Sequence, residues 1–96
     1  MNYIKFESDE SKNKLNIKKH KVSFEEAKSA FYDEKARLIA DPDHSNSEDR
    51  FILLGISSQL KILVVSYTYR KDDEIIRIIS VRKATKNESK YYFGRI

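Results

Sequence analysis

Two kinds of side chain in this sequence could take part in chemistry: a histidine next to a lysine, and arginines within or at the ends of predicted strands. An imidazole accepts or donates a proton near neutral pH. A guanidinium holds two oxygens of one anion in a fixed geometry, which an ammonium group does less well. The sequence therefore offers proton transfer and the binding of anionic oxygens, through Lys19, His20, Arg50, Arg70, Arg77 and Arg82.

The second histidine, His44, stands in a segment rich in Asp, Ser and Asn. Asp41, Asp43 and Glu48 could join it as metal ligands, but Asp and Ser in such a segment commonly bond their own backbone in a turn. No other histidine stands at ligand spacing, and the chain has no cysteine. We therefore expect neither a metal nor any other cofactor.

Composition limits the class of protein. A chain of 96 residues fits one domain, which we take to span residues 1–96. The net charge of +4 suits an anionic partner such as RNA, although an ordinary solvated surface is the more common explanation. No apolar stretch approaches the roughly 20 residues that span a bilayer, and acidic residues interrupt the N-terminus before an apolar region forms. We expect a cytoplasmic protein with no membrane partner.

The spacing of apolar residues predicts helices in the first third of the chain. A short strand at residues 3–6 comes first, and Asp9 or Ser11 can cap a helix that runs to about Lys18. Ser23 and Glu26 have the spacing of a capping box for a second helix, which would end near residue 32. The apolar face of that helix would consist of Phe24, Ala27, Ala30 and Phe31.

Strands dominate the rest of the chain. Short links predict antiparallel pairing, and residues 60–69 are apolar on both faces, as in a central strand. Thr85 and Glu88 form a second capping box, which begins a short final helix toward Tyr91 and Tyr92. Two N-terminal helices, an antiparallel β-meander and a short C-terminal helix define an α+β domain. The predicted strands are residues 37–40, 51–57, 60–69 and 75–81, with a loop at 41–49 and a turn at 71–73.

Strand alternation constrains which arginines can meet. Arg77 should share one face with Ile75, Ile79 and Val81, and Arg82 should lie on the opposite face, unless a bulge intervenes. Arg77 among apolar neighbours is either a site residue or half of a structural ion pair, because an unpaired buried charge is costly.

Several segments, taken in order, resemble the BrnT family of bacterial toxins and together cover nearly the whole chain. They are Phe6-Glu-Ser-Asp9, Lys12, Asn16, Lys19-His20, Val22-Ser-Phe-Glu-Glu-Ala27, Asp43-His-Ser45, Glu48, Arg50, Leu54-Gly-Ile-Ser57, Leu63-Val-Val65, Arg77-Ile-Ile-Ser80, Arg82-Lys-Ala-Thr85, Glu88 and Tyr91. This chain has Ser8 where the family usually has Trp, Lys21 where it usually has Gly, and Glu34 where it often has Pro. Glycine would tolerate a left-handed turn at position 21 better than lysine does.

The resemblance implies a RelE-like fold and a toxin that cleaves RNA and thereby inhibits translation. It also implies a BrnA-like antitoxin with a ribbon-helix-helix portion, so that operator DNA would be bound only through the antitoxin. RNA cleavage without a metal uses the neighbouring 2′-OH as nucleophile. It needs a base, an acid, and cations around the phosphoryl oxygens.

We predict a basic groove on the sheet that binds and cleaves RNA. Each side chain also has a simpler explanation: His20 can stabilise a helix end, strand-end arginines are usually solvated, and tyrosines can pack at the core edge. The competing function is a non-catalytic interaction module that binds an acidic partner chain. A proton-transfer group and two cations converging on one phosphate position would favour catalysis. The predicted catalytic residues are Lys19, His20, Arg50, Arg70 and Arg82, and the predicted RNA-binding residues are Tyr67, Tyr69 and Arg77.

Overall fold

The computed structural model describes residues 4–39, 50–71 and 73–94. Within them the chain forms an α+β fold with two helices near the N-terminus and one at the end, which confirms the fold class expected from the sequence. The predicted loop at 41–49, with His44, lies outside the described residues. The elements are β1 (Lys5–Glu7), α1 (Glu10–His20), α2 (Phe24–Ala30), β2 (Arg37–Ile39), β3 (Arg50–Ile56), β4 (Ile62–Arg70), β5 (Ile75–Lys83) and α3 (Lys86–Tyr92).

The described strands form one sheet in the order β1-β5-β4-β3-β2. From β2 to β5 the strands make the expected antiparallel meander. β1, however, pairs with β5 in parallel, so the sheet is mixed and not wholly antiparallel. This pairing brings together two strands that are far apart in the sequence, with α1, α2 and the other strands between them. A short-range pattern therefore cannot reveal it. β4 is central, as its two apolar faces predicted.

One face of the sheet, here called the helix face, packs against α2 and contains the main core. Gly55 of β3 allows this close packing, because a Cβ atom there would lie 2.9 Å from the carbonyl oxygen of Ala30. The core residues are Val22, Phe24, Ala27, Ala30, Leu53, Leu63, Val65, Tyr67, Ile76, Ile78 and Val81.

α1 is attached to the edge of β5 through the buried side chain of Asn16. Its Nδ2 donates to the carbonyl oxygens of Val22 (2.9 Å) and Val81 (2.8 Å), and its Oδ1 accepts from the Val81 amide (3.1 Å). The amide therefore pairs with β5 as a neighbouring strand would. Asp9 caps the start of α1, and Lys21 ends it in the left-handed conformation with φ 62°.

The two predicted capping boxes differ in the structure. Thr85 and Glu88 form a complete box at the start of α3, as expected. In α2 only half of the box exists: Ser23 accepts from the amide of Glu26. The carboxylate of Glu26 instead accepts a hydrogen bond from the hydroxyl of Ser57 at 2.7 Å, and both residues are buried. The expectation of a full capping box in α2 is therefore wrong, because the Glu26 carboxylate is hydrogen-bonded to Ser57 and not to the backbone of Ser23.

α3 covers one end of the second sheet face, where Tyr92 packs against Leu54 and Val64. None of the helices in the described part of the chain is long and apolar enough to cross a membrane.

Candidate functional site

The sheet face opposite the helix face carries several of the predicted site residues, and we call it the arginine face. Directly paired residues on neighbouring strands project to the same side. Arg50 pairs with Thr68, and Thr68 pairs with Arg77, so these three form one row across β3, β4 and β5. The Cα atoms of the two arginines are separated by two strand spacings, or about 10 Å. The register of Arg70 with Ile75 places Arg70 on the same side at the end of β4.

A β-bulge brings Arg82 onto the arginine face as well. Ser66 pairs with Ser80, but the next residue of β4, Tyr67, pairs with Ile78, so Ile79 is the extra residue in β5. The extra residue reverses the alternation along β5. The expectation that Arg77 and Arg82 occupy opposite faces is therefore wrong. They share one face, about 13 Å apart along the strand by ladder spacing.

Arg77 forms an ion pair with Glu7 of β1, with Nη1 and Oε2 3.2 Å apart. The parallel register aligns the two residues directly. Both side chains are partly exposed, at 26% for Arg77 and 38% for Glu7, so this pair is accessible to a ligand. The sequence predicted an ion pair as one of two explanations for Arg77. It did not identify Glu7, because the partner strand has only three residues and runs parallel.

Arg82 has a closer partner, Glu88 of α3. Its Nη1 and Nη2 donate to the two carboxylate oxygens at 2.8 and 2.9 Å, and Nη1 also donates to the carbonyl oxygen of Lys83. The hydrogen bonds from Arg82 lower the pKa of Glu88 from 4.5 to about 2, although partial burial opposes this. Arg82 is therefore ion-paired, and the simpler explanation from the sequence, a solvated arginine at a strand end, does not hold. The capping box in the sequence could have indicated this ion pair, because it turns the Glu88 side chain back toward the end of β5.

Small polar residues lie between these arginines. Ser66 and Ser80 pair with one another in the row between that of Arg77 and that of Arg82, and Ile52 of β3 continues that row. Ile52, Ser66 and Ser80 are half-buried. The middle of the arginine face thus carries the hydroxyl groups of Ser66 and Ser80 between positions that carry guanidinium groups.

The two tyrosines proposed for base stacking do not lie on the arginine face. Tyr67 is 2% exposed and packs in the core with Phe31 and Phe51, so it is not available to an RNA base. Burial raises the pKa of its hydroxyl, with a further contribution from Tyr69. Tyr69 lies on the same helix face, is 38% exposed, and makes edge contacts with Phe51 and Tyr67. Both are better explained as core and core-edge residues.

Lys19 and His20 lie in the last turn of α1. His20 is one helical turn beyond Asn16, on the side of α1 that meets the edge of β5. Within the described ranges, 4–39, 50–71 and 73–94, Lys19 is exposed and His20 is half-buried. The metal-ligand alternative around His44 lies outside those ranges, and among the residues they contain no three His, Cys, Asp or Glu side chains are grouped as a metal requires.

A second basic surface lies on the other side of α3. Arg37 of β2 stacks over the Tyr91 ring at 5.0 Å, and its Nε donates to the carbonyl of Tyr92. In the register of the sheet, Leu54 and Val64 lie between Arg37 and Arg82, and α3 packs on both. This surface therefore belongs to the same sheet face as Arg82, from which α3 separates it. It forms a cavity of about 610 Å³ lined by Lys35, Arg37, Ile56, Tyr92 and Phe93.

Asp33 anchors the helix that separates these two surfaces. Its Oδ2 accepts from the Tyr92 hydroxyl and from the Ile56 amide at 2.9 Å. Burial alone would raise the pKa of Asp33, but these bonds and one from the Lys35 amide leave it lowered. Burial and the neighbouring carboxylate raise the pKa of Tyr92 to about 12. The ionised Asp33 thus fixes the C-terminal end of α3 on β3.

These features define a small α+β protein with guanidinium groups collected on one sheet face. A family model for the ribonuclease toxin BrnT of type II toxin–antitoxin systems matches residues 9–88. The chain also resembles the 1.1 Å crystal structure of the Brucella abortus ribonuclease toxin BrnT. The TM-score is 0.67 at 24% identity, over 88% of this chain and 100% of that chain. No curated protein matches the sequence.

The chain belongs to the BrnT family of ribonuclease toxins. Membership of a type II toxin–antitoxin family implies RNA as the substrate and an antitoxin as the partner. The resemblance noted in the sequence is thereby confirmed.

Proposed function

We propose that this toxin is a metal-independent endoribonuclease whose arginine face binds the RNA backbone and stabilises charge on the phosphate that is cleaved. The observation that carries the proposal is the collection of Arg50, Arg77 and Arg82 on one face by the sheet register and the bulge. Arginine suits this task because it remains charged and binds two oxygens at once. Arg70, at the end of β4, extends the basic surface.

The reaction that fits these groups is attack of the 2′-OH on the adjacent phosphate. The O2′–P bond forms, the bond from phosphorus to the 5′ oxygen of the next nucleotide breaks, and the products are a 2′,3′-cyclic phosphate and a 5′-hydroxyl. Negative charge grows on the phosphoryl oxygens, and a fixed guanidinium stabilises it most in the transition state. His20 and Lys19, in the last turn of α1, are the proposed proton-transfer residues.

The proposed partner is a BrnA-like ribbon-helix-helix antitoxin that covers the arginine face and binds operator DNA on behalf of the complex. An excess of cations on a half-buried face suits an acidic segment of such a partner. We place this reaction in the cytoplasm, where translation occurs and RNA cleavage would inhibit it.

The test is incubation of the purified chain with a defined RNA in EDTA. We expect cleavage to persist and the products to carry cyclic phosphate ends. Arg50→Ala and Arg77→Ala should each slow cleavage by about 10²-fold, as expected for loss of a donor to the developing charge. Lys83→Ala is the matched control, because Lys83 adjoins Arg82 on β5 but projects to the helix face.

Two outcomes would contradict the proposal. Activity that is lost in EDTA and restored by magnesium or manganese would exclude the metal-independent mechanism. Wild-type protein that does not cleave RNA, but binds an acidic partner through Arg50 and Arg77, would favour the non-catalytic interaction module.

A further inference from the structure

The guanidinium of Arg82 is held on two of its three edges. Nη1 and Nη2 together donate to Oε1 and Oε2 of Glu88 at 2.8 and 2.9 Å, which is an end-on pair of parallel bonds. The remaining hydrogen of Nη1 points toward the carbonyl oxygen of Lys83, 3.3 Å away. These contacts fix both the position of the group and the plane in which it lies.

The contacts leave a defined pair of donors. A guanidinium has five N–H groups, and Glu88 and Lys83 accept from three of them. The other two are Nε–H and the outer hydrogen of Nη2, which are parallel and lie on the same edge. Within the described part of the chain, no protein group accepts from that edge. Its spacing matches two oxygens of a phosphate group, and the side chain is 42% exposed.

We infer that Glu88 is a positioning residue of this ribonuclease: it orients Arg82 so that the Nε and Nη2 edge faces the RNA phosphate. The inference rests on the proposed function, since it assigns Arg82 the substrate contact. Glu88 itself touches no substrate. It acts by removing the rotational freedom of a long side chain, so that the phosphate-binding geometry exists before RNA arrives.

Glu88 is itself held in place, which makes it suitable for this role. Its Oε1 accepts from the backbone amide of Thr85 at 2.8 Å, and the Thr85 hydroxyl accepts from the Glu88 amide at 3.2 Å. The capping box therefore ties the carboxylate to the point where β5 ends and α3 begins. With a pKa of about 2, Glu88 stays ionised near neutral pH and is too weak a base to take the 2′-OH proton itself.

The decisive experiment compares Glu88→Gln with Ser23→Ala, which removes the cap of α2 and no contact of Arg82 or Glu88. Glutamine at the third position of a helix still completes a capping box, but it has no charge and only one acceptor oxygen for Arg82. Cleavage by E88Q should therefore fall by about 10- to 100-fold, as expected when a binding group is misplaced, and its melting temperature should fall no further than that of Arg82→Ala. S23A removes the cap of α2 and lowers the melting temperature by about 4–8 °C, but cleavage below the transition should be unchanged.

The E88Q substitution is then repeated in an Arg82→Ala background. If Glu88 acts through Arg82, it should have no further effect there. The inference is wrong if E88Q cleaves at the wild-type rate, if S23A slows cleavage as much as E88Q does, or if E88Q slows the Arg82→Ala protein by the same factor.

Failure of the proposed function would be visible separately, as a wild-type protein that does not cleave RNA. The inference is then decided by titrating inorganic phosphate into ¹⁵N-labelled protein and following the Nε–H signal of Arg82. The signal should shift at lower phosphate concentration in the wild type than in E88Q. Equal responses in the two proteins, or no response in the wild type, would overturn it.

Discussion

The turn after α1 permits a stability prediction that tests one departure from the family pattern. Lys21 has φ 62° and ψ 26°, and its amide donates to the carbonyl of Ile17 at 2.8 Å, which closes the helix. Its side chain is exposed. The family's usual glycine would adopt this backbone without the steric cost that a Cβ atom incurs. We therefore predict that Lys21→Gly is more stable than Lys21→Ala, which keeps the Cβ atom.

The magnitude follows from one favourable and two unfavourable contributions. A residue with a Cβ atom costs about 1–2 kcal/mol in the left-handed region. Glycine recovers that energy but makes the unfolded chain more flexible, which costs about 0.5–1 kcal/mol. Loss of the lysine charge at the negative end of the helix dipole costs a further ~0.3–1 kcal/mol. Lys21→Ala removes the charge and keeps the strain, so the gain of K21G over K21A isolates the backbone effect and should be about 1 kcal/mol.

The assay is urea and thermal unfolding of the three proteins side by side. For a domain of this size, 1 kcal/mol corresponds to about 4–8 °C in melting temperature. The wild type, K21G and K21A should cleave RNA at the same rate, because neither substitution changes the path of the backbone. If K21G melts at or below the temperature of K21A, the left-handed conformation of Lys21 is not a source of strain and the reasoning fails.

Four further predictions follow from the site and the core. Arg82→Ala should slow RNA cleavage by about 10²–10³-fold. Because its partly exposed ion pair is lost, it should also lower the free energy of unfolding by about 0.5–1 kcal/mol; normal cleavage would remove Arg82 from the site. Gly55→Ala should destabilise the fold by about 1–3 kcal/mol through the contact with Ala30, measured by urea unfolding, and an unchanged midpoint would contradict it. Glu88 has its pKa lowered from 4.5 to about 2 by Arg82. Its contribution to stability should therefore be complete above pH ~4.5 and lost as the pH falls toward 2, and unfolding curves of E88Q should show a smaller fall over that window. Expression of the toxin should arrest growth, and a co-expressed antitoxin should relieve this by covering the arginine face; a complex structure that leaves Arg50 and Arg82 uncovered would argue against direct occlusion.

Local patterns predicted the elements of this fold well because their signals are short-range. The apolar spacing from Phe24 to Phe31 indicated α2, and Thr85 with Glu88 indicated the start of α3; both helices form as expected. The parallel pairing of β1 with β5 was not predictable, since it depends on which distant strand has a free edge. The carboxylate of Glu26 likewise leaves its expected cap because Ser57, 31 residues away, offers a buried partner.

The candidate site was harder to predict for two reasons. The face on which a side chain lies follows from strict alternation only in an unbroken strand, and one extra residue, Ile79, moved Arg82 to the face of Arg77. The burial of Tyr67 depends on α2 covering the helix face, which the alternation of β4 does not specify. The arginines were proposed from their residue type, and their role in the site stays a prediction. Their carboxylate partners, Glu7 and Glu88, were missed because each belongs to another element.

The pairing of Asn16 with Val81 has a consequence for the order in which this protein can fold during its synthesis. A chain emerges from the ribosome N-terminal end first, yet β1 and α1 have their principal contacts with β5, which follows the other strands of the described sheet in the sequence. Until residue 81 has emerged, the Asn16 amide has no strand to bind and the β1 register does not exist. Because Arg77 and Arg82 lie on that same strand, the arginine face is also completed only then. A nascent chain therefore gains its stable fold and its proposed catalytic surface together, once β5 has been made.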